Sequence, residues 1–174
     1  MITLILFILF SLPILFFSWR PLHQPSSHGF FRFFAFESIL LLILLNAPFW
    51  FIDPFSLIQW TSWLLLVFSL MLAIHGFMLL KKIGKPSGSF EETTVIVVSG
   101  AYRIIRHPLY TSLLLLTWGA CLKHPWWNTL LLAAISTLFL NATAKAEENE
   151  NIDKFGSSYL EYRERTYFFL PYLW

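Results

Sequence analysis

Long apolar stretches constrain this chain more than any other feature of its sequence. A helix that crosses a bilayer needs about 20 mostly apolar residues. Four stretches approach or reach that length, and the last of them, over 108–144, is long enough to cross twice. Lys123, His124 and Pro125 lie in its middle, and a charge followed by proline is typical of a turn. We therefore predict five crossings, over residues 1–19, 33–52, 57–80, 108–122 and 126–144.

The composition supports a membrane location and excludes several other classes of protein. Hydrophobic residues make up 57% of the 174 residues and charged residues only 13%, against about 25% charged in a typical soluble domain. The net charge of +2 is too small to favour a nucleic-acid partner. Cys121 is the only cysteine in the sequence, so an internal disulfide is excluded. The expected fold is a single all-α, polytopic membrane domain over residues 1–174.

Basic residues predict how the chain is oriented. With five crossings, every lysine and arginine except Lys123 falls on one side of the membrane. Because cytoplasmic loops are enriched in Lys and Arg, that side is predicted to be cytoplasmic. The N-terminus is then outside, whereas the loop 81–107 and the tail 145–174 are cytoplasmic. The functional side chains are expected in these two segments.

The first polar group lies where the chain enters the fourth crossing. Arg103, Arg106 and His107 stand directly before Pro108, which fits the first turn of a helix. His107 is thereby placed at a helix N-terminus, whose free N–H groups suit an anion. A simpler interpretation is that the arginines reach towards lipid phosphates and that His107 only caps the helix.

The second polar group follows the fifth crossing. Carboxylates next to the bilayer must be solvated or paired. We expect Glu147 to face inward, because it lies one turn beyond the end of the apolar run, and Glu148 and Glu150 to be solvated. A stripe of apolar residues at helical spacing follows and predicts an amphipathic cytoplasmic helix at the membrane surface. The stripe consists of Ile152, Phe155, Tyr159 and Tyr162.

The two polar groups are predicted to meet at the cytoplasmic surface. A tight hairpin joins the fourth and fifth crossings, so the start of one lies beside the end of the other. His107 and Glu147 would then be neighbours. A ligand that carries an amine, a carboxylate and an aromatic base suits such a pair.

These motifs, in this order, resemble the isoprenylcysteine carboxyl methyltransferase family, to which the phospholipid methyltransferases are related. The resemblance covers residues from about 80 to the C-terminus. It implies a membrane enzyme that uses S-adenosylmethionine, with 1–80 as a transmembrane scaffold and 81–174 as the cofactor-binding catalytic half. The matching blocks are residues 99–110 with Arg106-His107-Pro108-x-Tyr110, the pair Glu147-Glu148, Phe155-Gly156 with Tyr159 and Tyr162, and Leu170-Pro171.

The resemblance also implies the site residues. The segment from Thr94 to Val97 would contact the cofactor through its backbone. Tyr102 would pack against the cofactor, and Glu147 would hold its methionine amine. The catalytic residues would be His107, Arg106 and Glu147. No metal is expected, because the histidines lack paired ligand spacing. The expected cofactor-binding residues are Thr94, Val95, Ile96, Val97, Tyr102, His107, Pro108, Leu109, Tyr110 and Glu147.

The expected activity is methyl transfer to a lipophilic acceptor, either a membrane lipid or a prenylated small molecule or peptide. It is most like that of a protein-S-isoprenylcysteine O-methyltransferase. Members of that kind carry an arginine, implicated in holding the acceptor carboxylate, four residues before the equivalent of Glu147. Here the position is Thr143, so a different lipophilic acceptor is also possible.

Three alternatives stay open at this point. The chain could methylate a phospholipid amine. It could be an NADPH-dependent membrane reductase of the steroid 5α-reductase type, which has a comparable C-terminal layout. It could also be a membrane protein without enzymatic activity, whose basic loop, with Lys81 and Lys82, binds anionic lipid. This last alternative leaves the acidic group at Glu147 unexplained.

Overall fold

The computed structural model describes residues 1–85 and 93–171, and α-helices account for most of them. Residues 86–92 of the predicted cytoplasmic loop and 172–174 of the tail lie outside the described residues. The expected all-helical architecture is confirmed. The helices are α1 (Ile2–Ser18), α2 (His28–Asn46), α3 (Leu57–Ile83), α4 (Pro108–Cys121), α5 (Trp127–Phe155) and α6 (Ser157–Glu164).

Three helices are long and apolar enough to cross a membrane: α2 together with the 3-10 turn that follows it, α3 and α5. The two other apolar helices, α1 with 17 residues and α4 with 14, are shorter. Each of the five predicted apolar stretches forms a helix, and the predicted turn at Lys123–Pro125 separates α4 from α5.

Local sequence explains where the helices begin. Ser27 caps α2 and Ser56 caps α3, and each side chain accepts a hydrogen bond from a backbone N–H of the first turn. Pro108 occupies the first position of α4, where its missing N–H leaves no bond unmade. The Ser27 cap starts α2 at His28, earlier than the apolar run alone indicates, and Arg32 thus lies inside the helix.

The helices pack in a spatial order that differs from their order in the chain. α1 packs against α2, α2 against α5, α5 against α4, and α4 against α3. Side chains from α2 and α3 satisfy carbonyl groups at the end of α4: Asn46 donates to Ala120 at 2.7 Å, and Ser62 donates to Gly119 at 2.7 Å. Buried polar groups need such partners, so these bonds fix the C-terminal end of α4.

The C-terminal end differs from the expected single amphipathic helix. α5 runs without a break past the apolar stretch to Phe155, because the lysines and glutamates that follow Ala144 are good helix formers. The helix then ends at Gly156, whose φ of +58° suits glycine. The predicted stripe is therefore divided between α5 and α6, with Tyr159 and Tyr162 buried on α6.

The C-terminal segment, residues 165–171, returns to the start of α4. Tyr167 forms an isolated parallel bridge with Ile105, supported by hydrogen bonds from Tyr167 N to Ile104 O (2.9 Å) and from Arg106 N to Tyr167 O (2.8 Å). Phe168 and Phe169 are buried there against α2, α4 and α5. The return of the chain builds one wall of the region described next.

Candidate active site

A cavity with two adjoining lobes lies where α2, α3, α4 and α5 converge near the start of α4. The inner lobe has a volume of about 240 Å³, and the outer lobe one of about 50 Å³. Six residues line both lobes, so the two lobes are direct neighbours that share one wall. The shared residues are Leu80, Thr93, Tyr102, Arg106, Glu147 and Asn151.

The lobes differ in chemistry. The outer lobe adds the irregular segment at Ile96 and Val97 and three aromatic rings, those of Phe155, Tyr159 and Tyr162. The inner lobe extends between the helices and is mainly apolar there. Its own lining residues are Arg32, Phe36, Ala73, His107, Leu109, Tyr110, Ser112 and Leu113.

Glu147 lines both lobes, as its expected inward orientation requires. His107 lines the inner lobe, so the structure brings the two predicted partners to one cavity. Asn151 lies one helical turn after Glu147 and lines the same two lobes. A carboxylate and an amide on one face of α5 can together bind an amine.

His107 stands at the position just before α4 and is only 4% exposed. Its ring is stacked against that of Tyr110, with centroids 5.6 Å apart, and meets the edge of Phe168 at 5.0 Å. Its Nε2 atom lies 3.4 Å from Oε1 of Glu148 and has no hydrogen-bond partner among the described residues. A buried imidazole at this position, held beside Glu148, can also meet a polar group of a ligand in the inner lobe.

Arg106 lines both lobes and is held from behind. Its Nε donates to Glu148, and its Nη1 donates to the carbonyl oxygens of Arg163 (3.1 Å) and Thr166. The predicted cation at this position is therefore part of a hydrogen-bonded cluster and does not extend towards lipid phosphates.

The expectation that Glu148 is solvated is wrong. Glu148 is 9% exposed and pairs with Arg106 and His107. Consecutive helical residues point about 100° apart, so α5 directs Glu147 into the cavity and Glu148 to the start of α4. Glu150 is exposed as expected, but it is paired, because His28 binds its carboxylate through the backbone N–H and the ring.

Three of the predicted cofactor-binding residues do not line the cavity. The hydroxyl of Thr94 donates to the carbonyl of Lys85 at 2.9 Å, and the side chain of Val95 is exposed. Pro108 packs against α3, where a Cβ added at Gly76 would lie 3.5 Å from its ring. The predicted residues that do line it are Ile96, Val97, Tyr102, Arg106, His107, Leu109, Tyr110 and Glu147.

The sequence interpretation missed the contribution of α2 and α3. Arg32 and Phe36 are four residues apart on α2 and line the inner lobe together with Ala73 of α3. If Ser27 is taken as a helix cap, the i, i+4 spacing of Arg32 and Phe36 places them on one face of α2. That this face of α2 meets the cavity depends on packing between distant segments, for which the sequence carries no local signal.

Two phenols at the outer lobe stay neutral. Burial, followed by the charges of Glu148 and Glu147, raises the pKa of Tyr159 well above its usual value. Burial likewise raises the pKa of Tyr162, whose hydroxyl donates to the carbonyl of Tyr102 at 2.7 Å. The outer lobe therefore presents uncharged aromatic walls, which suit a planar base.

Within residues 1–85 and 93–171, no group of three or more His, Cys, Asp or Glu side chains is placed to hold a metal ion. The cavity instead offers one carboxylate, a buried imidazole, two arginines and aromatic walls. Such a set binds an organic molecule that carries an amine, an acidic group and an aromatic ring.

Comparison with known proteins supports this interpretation. A family model described as phospholipid methyltransferase matches residues 57–157, which include α3, α4, α5 and Glu147. Methanethiol S-methyltransferase 1 from Bradyrhizobium diazoefficiens is 27% identical over 177 residues. That alignment covers 98% of this chain and 54% of the relative, so the chain spans about half the length of the protein it matches.

Proposed function

Because the chain belongs to the phospholipid methyltransferase family, and is therefore a methyltransferase, we propose that it transfers a methyl group from S-adenosylmethionine to a small apolar nucleophile, with a thiol as the first candidate. One observation carries the proposal: Glu147 lines both an aromatic outer lobe and an apolar inner lobe of one cavity. A donor held at that point has its nucleoside on one side and an acceptor on the other.

The residues present fit this cofactor. Glu147 would hold the amine, and the imidazole of His107, which lines the inner lobe, would face a polar group at the same end. Tyr102, Tyr159 and the backbone near Val97 would hold the nucleoside in the outer lobe. When bound, S-adenosylmethionine supplies a methyl group that a nucleophile takes in one displacement, leaving S-adenosylhomocysteine.

The inner lobe supports a small acceptor. Its volume of about 240 Å³ lies just below the usual range for ligand pockets. Phe36, Ala73 and Leu113 give it apolar walls, and Arg32 adds a positive charge. A nearby cation favours the ionised form of a weak acid, so Arg32 would favour a thiolate over a thiol. The name of the similar Bradyrhizobium protein agrees with a thiol acceptor.

A prenylcysteine carboxylate has less support. Thr143, at the position where the resembling enzymes have arginine, is fully buried, and its hydroxyl donates to the carbonyl of Phe139 at 2.7 Å. It supplies no cation to the cavity. A phospholipid amine is the second candidate, because the description of the matching family names phospholipids. Family membership gives no support to an NADPH-dependent reductase.

In this mechanism the protein mainly binds the donor and the acceptor, orients them towards each other and excludes water from them. Holding two reactants in line contributes roughly 7–11 kcal/mol to a barrier. The rings of Tyr110 and Phe168 hold the imidazole of His107 in place, and the apolar walls of the inner lobe keep water from the reacting groups. An amine acceptor would have to lose a proton, and His107 or Glu147 could accept it.

We also propose five membrane crossings, with the short helices α1 and α4 as two of them. The N-terminus would lie outside, and the cavity and the C-terminus at the cytoplasmic side. The basic residues support this arrangement. With five crossings, Lys123, between α4 and α5, is the only lysine or arginine on the outer side of the membrane. Residues 81–174 would supply most of the cofactor site on a scaffold formed by 1–80, to which Arg32, Phe36 and Ala73 add one wall.

The test is a methyl-transfer assay on the detergent-purified chain with tritium-labelled donor. Three acceptors are compared: a short alkyl thiol, an S-prenylcysteine and phosphatidylethanolamine. We expect a labelled thioether and no label above background with the same protein carrying Glu147→Gln. Label in the prenylcysteine ester or in the phospholipid would overturn the thiol assignment. Absence of transfer to all three and to a total lipid extract would contradict the proposed function.

A further inference from the structure

Glu148 is a buried carboxylate that the proposed mechanism does not use. It lines neither lobe, yet it binds two residues that do, Arg106 and His107. Its neighbour Glu147 lines both lobes together with the same Arg106. Arg106 thus shares the cavity wall with Glu147, and the structure pairs it with Glu148 behind the cavity.

The cluster around Arg106 joins three parts of the chain. Glu148 on α5 accepts from Nε, while Nη1 donates to the carbonyl oxygens of Arg163, in the last turn of α6, and of Thr166, just after it. The backbone N–H of Arg106 donates to Tyr167 at 2.8 Å. The two Nη1 bonds hold the guanidinium against the C-terminal part of the chain, and the Nε bond holds it against Glu148.

This arrangement bears on the charge within the cavity. Glu147 is the only carboxylate among the described lining residues of either lobe. A buried arginine that lost its partner would seek another carboxylate, because an unpaired buried charge is costly. Glu147 is the carboxylate that lines both lobes together with Arg106, and an ion pair between them would compete directly with the amine of a bound ligand.

We propose that Glu148 is a positioning residue that keeps Arg106 paired behind the cavity and so leaves Glu147 available to the amine of the cofactor. This inference rests on the proposed function. It assigns different tasks to two adjacent glutamates: Glu147 contacts the ligand, and Glu148 acts only through Arg106. It also gives the tie between Arg106 and the C-terminal segment a role in ligand affinity.

The test measures the affinity for S-adenosylhomocysteine in detergent by calorimetry, so it does not depend on turnover. Glu148→Gln keeps the shape of the side chain but removes its charge, and we expect it to weaken binding by about tenfold or more. Glu150→Gln is the matched control, because Glu150 lies on the same helix, pairs with His28 and is outside the cavity. It should bind as the wild type does.

A second-site variant separates positioning from general stability. Adding Arg106→Gln to Glu148→Gln removes the competing cation, so the double variant should bind about as tightly as Arg106→Gln alone, within roughly threefold. A structural role of Glu148 that is independent of Arg106 predicts that the double variant binds more weakly than Arg106→Gln alone. The double variant lacks the guanidinium that Glu148→Gln alone would leave without its carboxylate partner, so this comparison can be made even where Glu148→Gln alone does not fold.

The outcomes are distinct. Binding by Glu148→Gln that equals binding by Glu150→Gln would overturn the inference, as would a double variant about tenfold weaker than Arg106→Gln. A wild-type protein that does not bind S-adenosylhomocysteine would instead contradict the proposed function. Weak binding by Glu148→Gln with recovery in the double variant supports the inference.

Discussion

Glu147 and Glu148 follow one another on α5, yet Glu147 lines the cavity and Glu148 lies behind it, with its Oε1 atom 3.4 Å from Nε2 of His107. A single helix thereby supplies one carboxylate that can contact a ligand and another that pairs with Arg106 and His107. Because helix geometry fixes this division, each carboxylate can be tested by exchange for an amide of the same shape.

His107→Ala should weaken both folding and ligand binding. The ring packs against Tyr110 and Phe168 at 4% exposure, so its loss leaves a void next to the inner lobe. We expect a loss of about 1–3 kcal/mol in the free energy of unfolding and a drop in affinity for S-adenosylhomocysteine of about tenfold or more. Thermal unfolding and calorimetry in detergent measure the two effects. His23→Ala, outside the cavity, is the control, and equal affinity in both variants would contradict the assignment of His107.

Ala73→Leu should fill the inner lobe and so impair binding of the acceptor without affecting binding of the donor. Ala73 lines only the inner lobe, so the added methyl groups occupy the proposed acceptor space and leave the outer lobe unchanged. We expect KM for a thiol acceptor to rise by about tenfold, while the affinity for S-adenosylhomocysteine stays within about twofold. Ala134→Leu is the control, because Ala134 is exposed on α5. A loss of donor affinity equal to the change in acceptor KM would place the donor in the inner lobe instead.

Gly100→Ala and Gly156→Ala should differ in stability although both glycines have similar φ angles. Their φ values are +57° and +58°, which strains any residue with a Cβ by about 1–2 kcal/mol. A Cβ at Gly100 would also lie 2.6 Å from Nε2 of His75, whereas none of the described atoms lies within 4 Å of one at Gly156. Gly100→Ala should therefore be the less stable variant in thermal unfolding. It should also bind S-adenosylhomocysteine more weakly, because Tyr102 follows closely; equal stability of the two variants would contradict this account.

Lys123 should make stability depend on pH. Burial lowers the pKa of its amine below the ordinary 10.5, and Nζ lies 3.1 Å from Oε1 of Gln59 and 3.5 Å from the centre of the Trp63 ring. Between the lowered pKa and 10.5 the unfolded chain binds more protons than the folded one, so the free energy of unfolding rises with pH in that window.

Lys123→Met should remove this rise. The measurement is the unfolding temperature of wild type and variant from about pH 8 to about pH 10. Lys81→Met is the control, because Lys81 is exposed at the end of α3. The difference between wild type and Lys123→Met isolates this amine from the tyrosines that titrate in the same range. Identical pH profiles for the wild type and Lys123→Met would contradict the role given to burial.

Local signals in the sequence predicted most of the fold. Apolar runs near the length of a bilayer and the turn at Lys123–Pro125 mark the helices directly, and the position of Glu147 just beyond such a run predicted its orientation. The end of α5 was not predicted, because the regular spacing of apolar residues continues across Gly156 into α6. A glycine at positive φ outweighs that spacing.

Contacts between distant segments account for what the sequence did not reveal. Glu148 looks solvated in sequence because its partners, Arg106 and His107, precede it by about 40 residues and reach it only through the α4–α5 hairpin. Arg32 looks like a loop residue unless α2 is extended back to the Ser27 cap. No periodicity within either segment contains this information.

The central claim is that Glu147 holds the amine of the methyl donor in a cavity shared with the acceptor. The most direct measurement is calorimetric binding of S-adenosylhomocysteine to the detergent-purified wild type and to Glu147→Gln, with thermal unfolding to show that both are folded. The account predicts binding by the wild type and a loss of about 100-fold or more in the variant, because the amide cannot neutralise the ammonium group. Equal affinity in two folded proteins would contradict it.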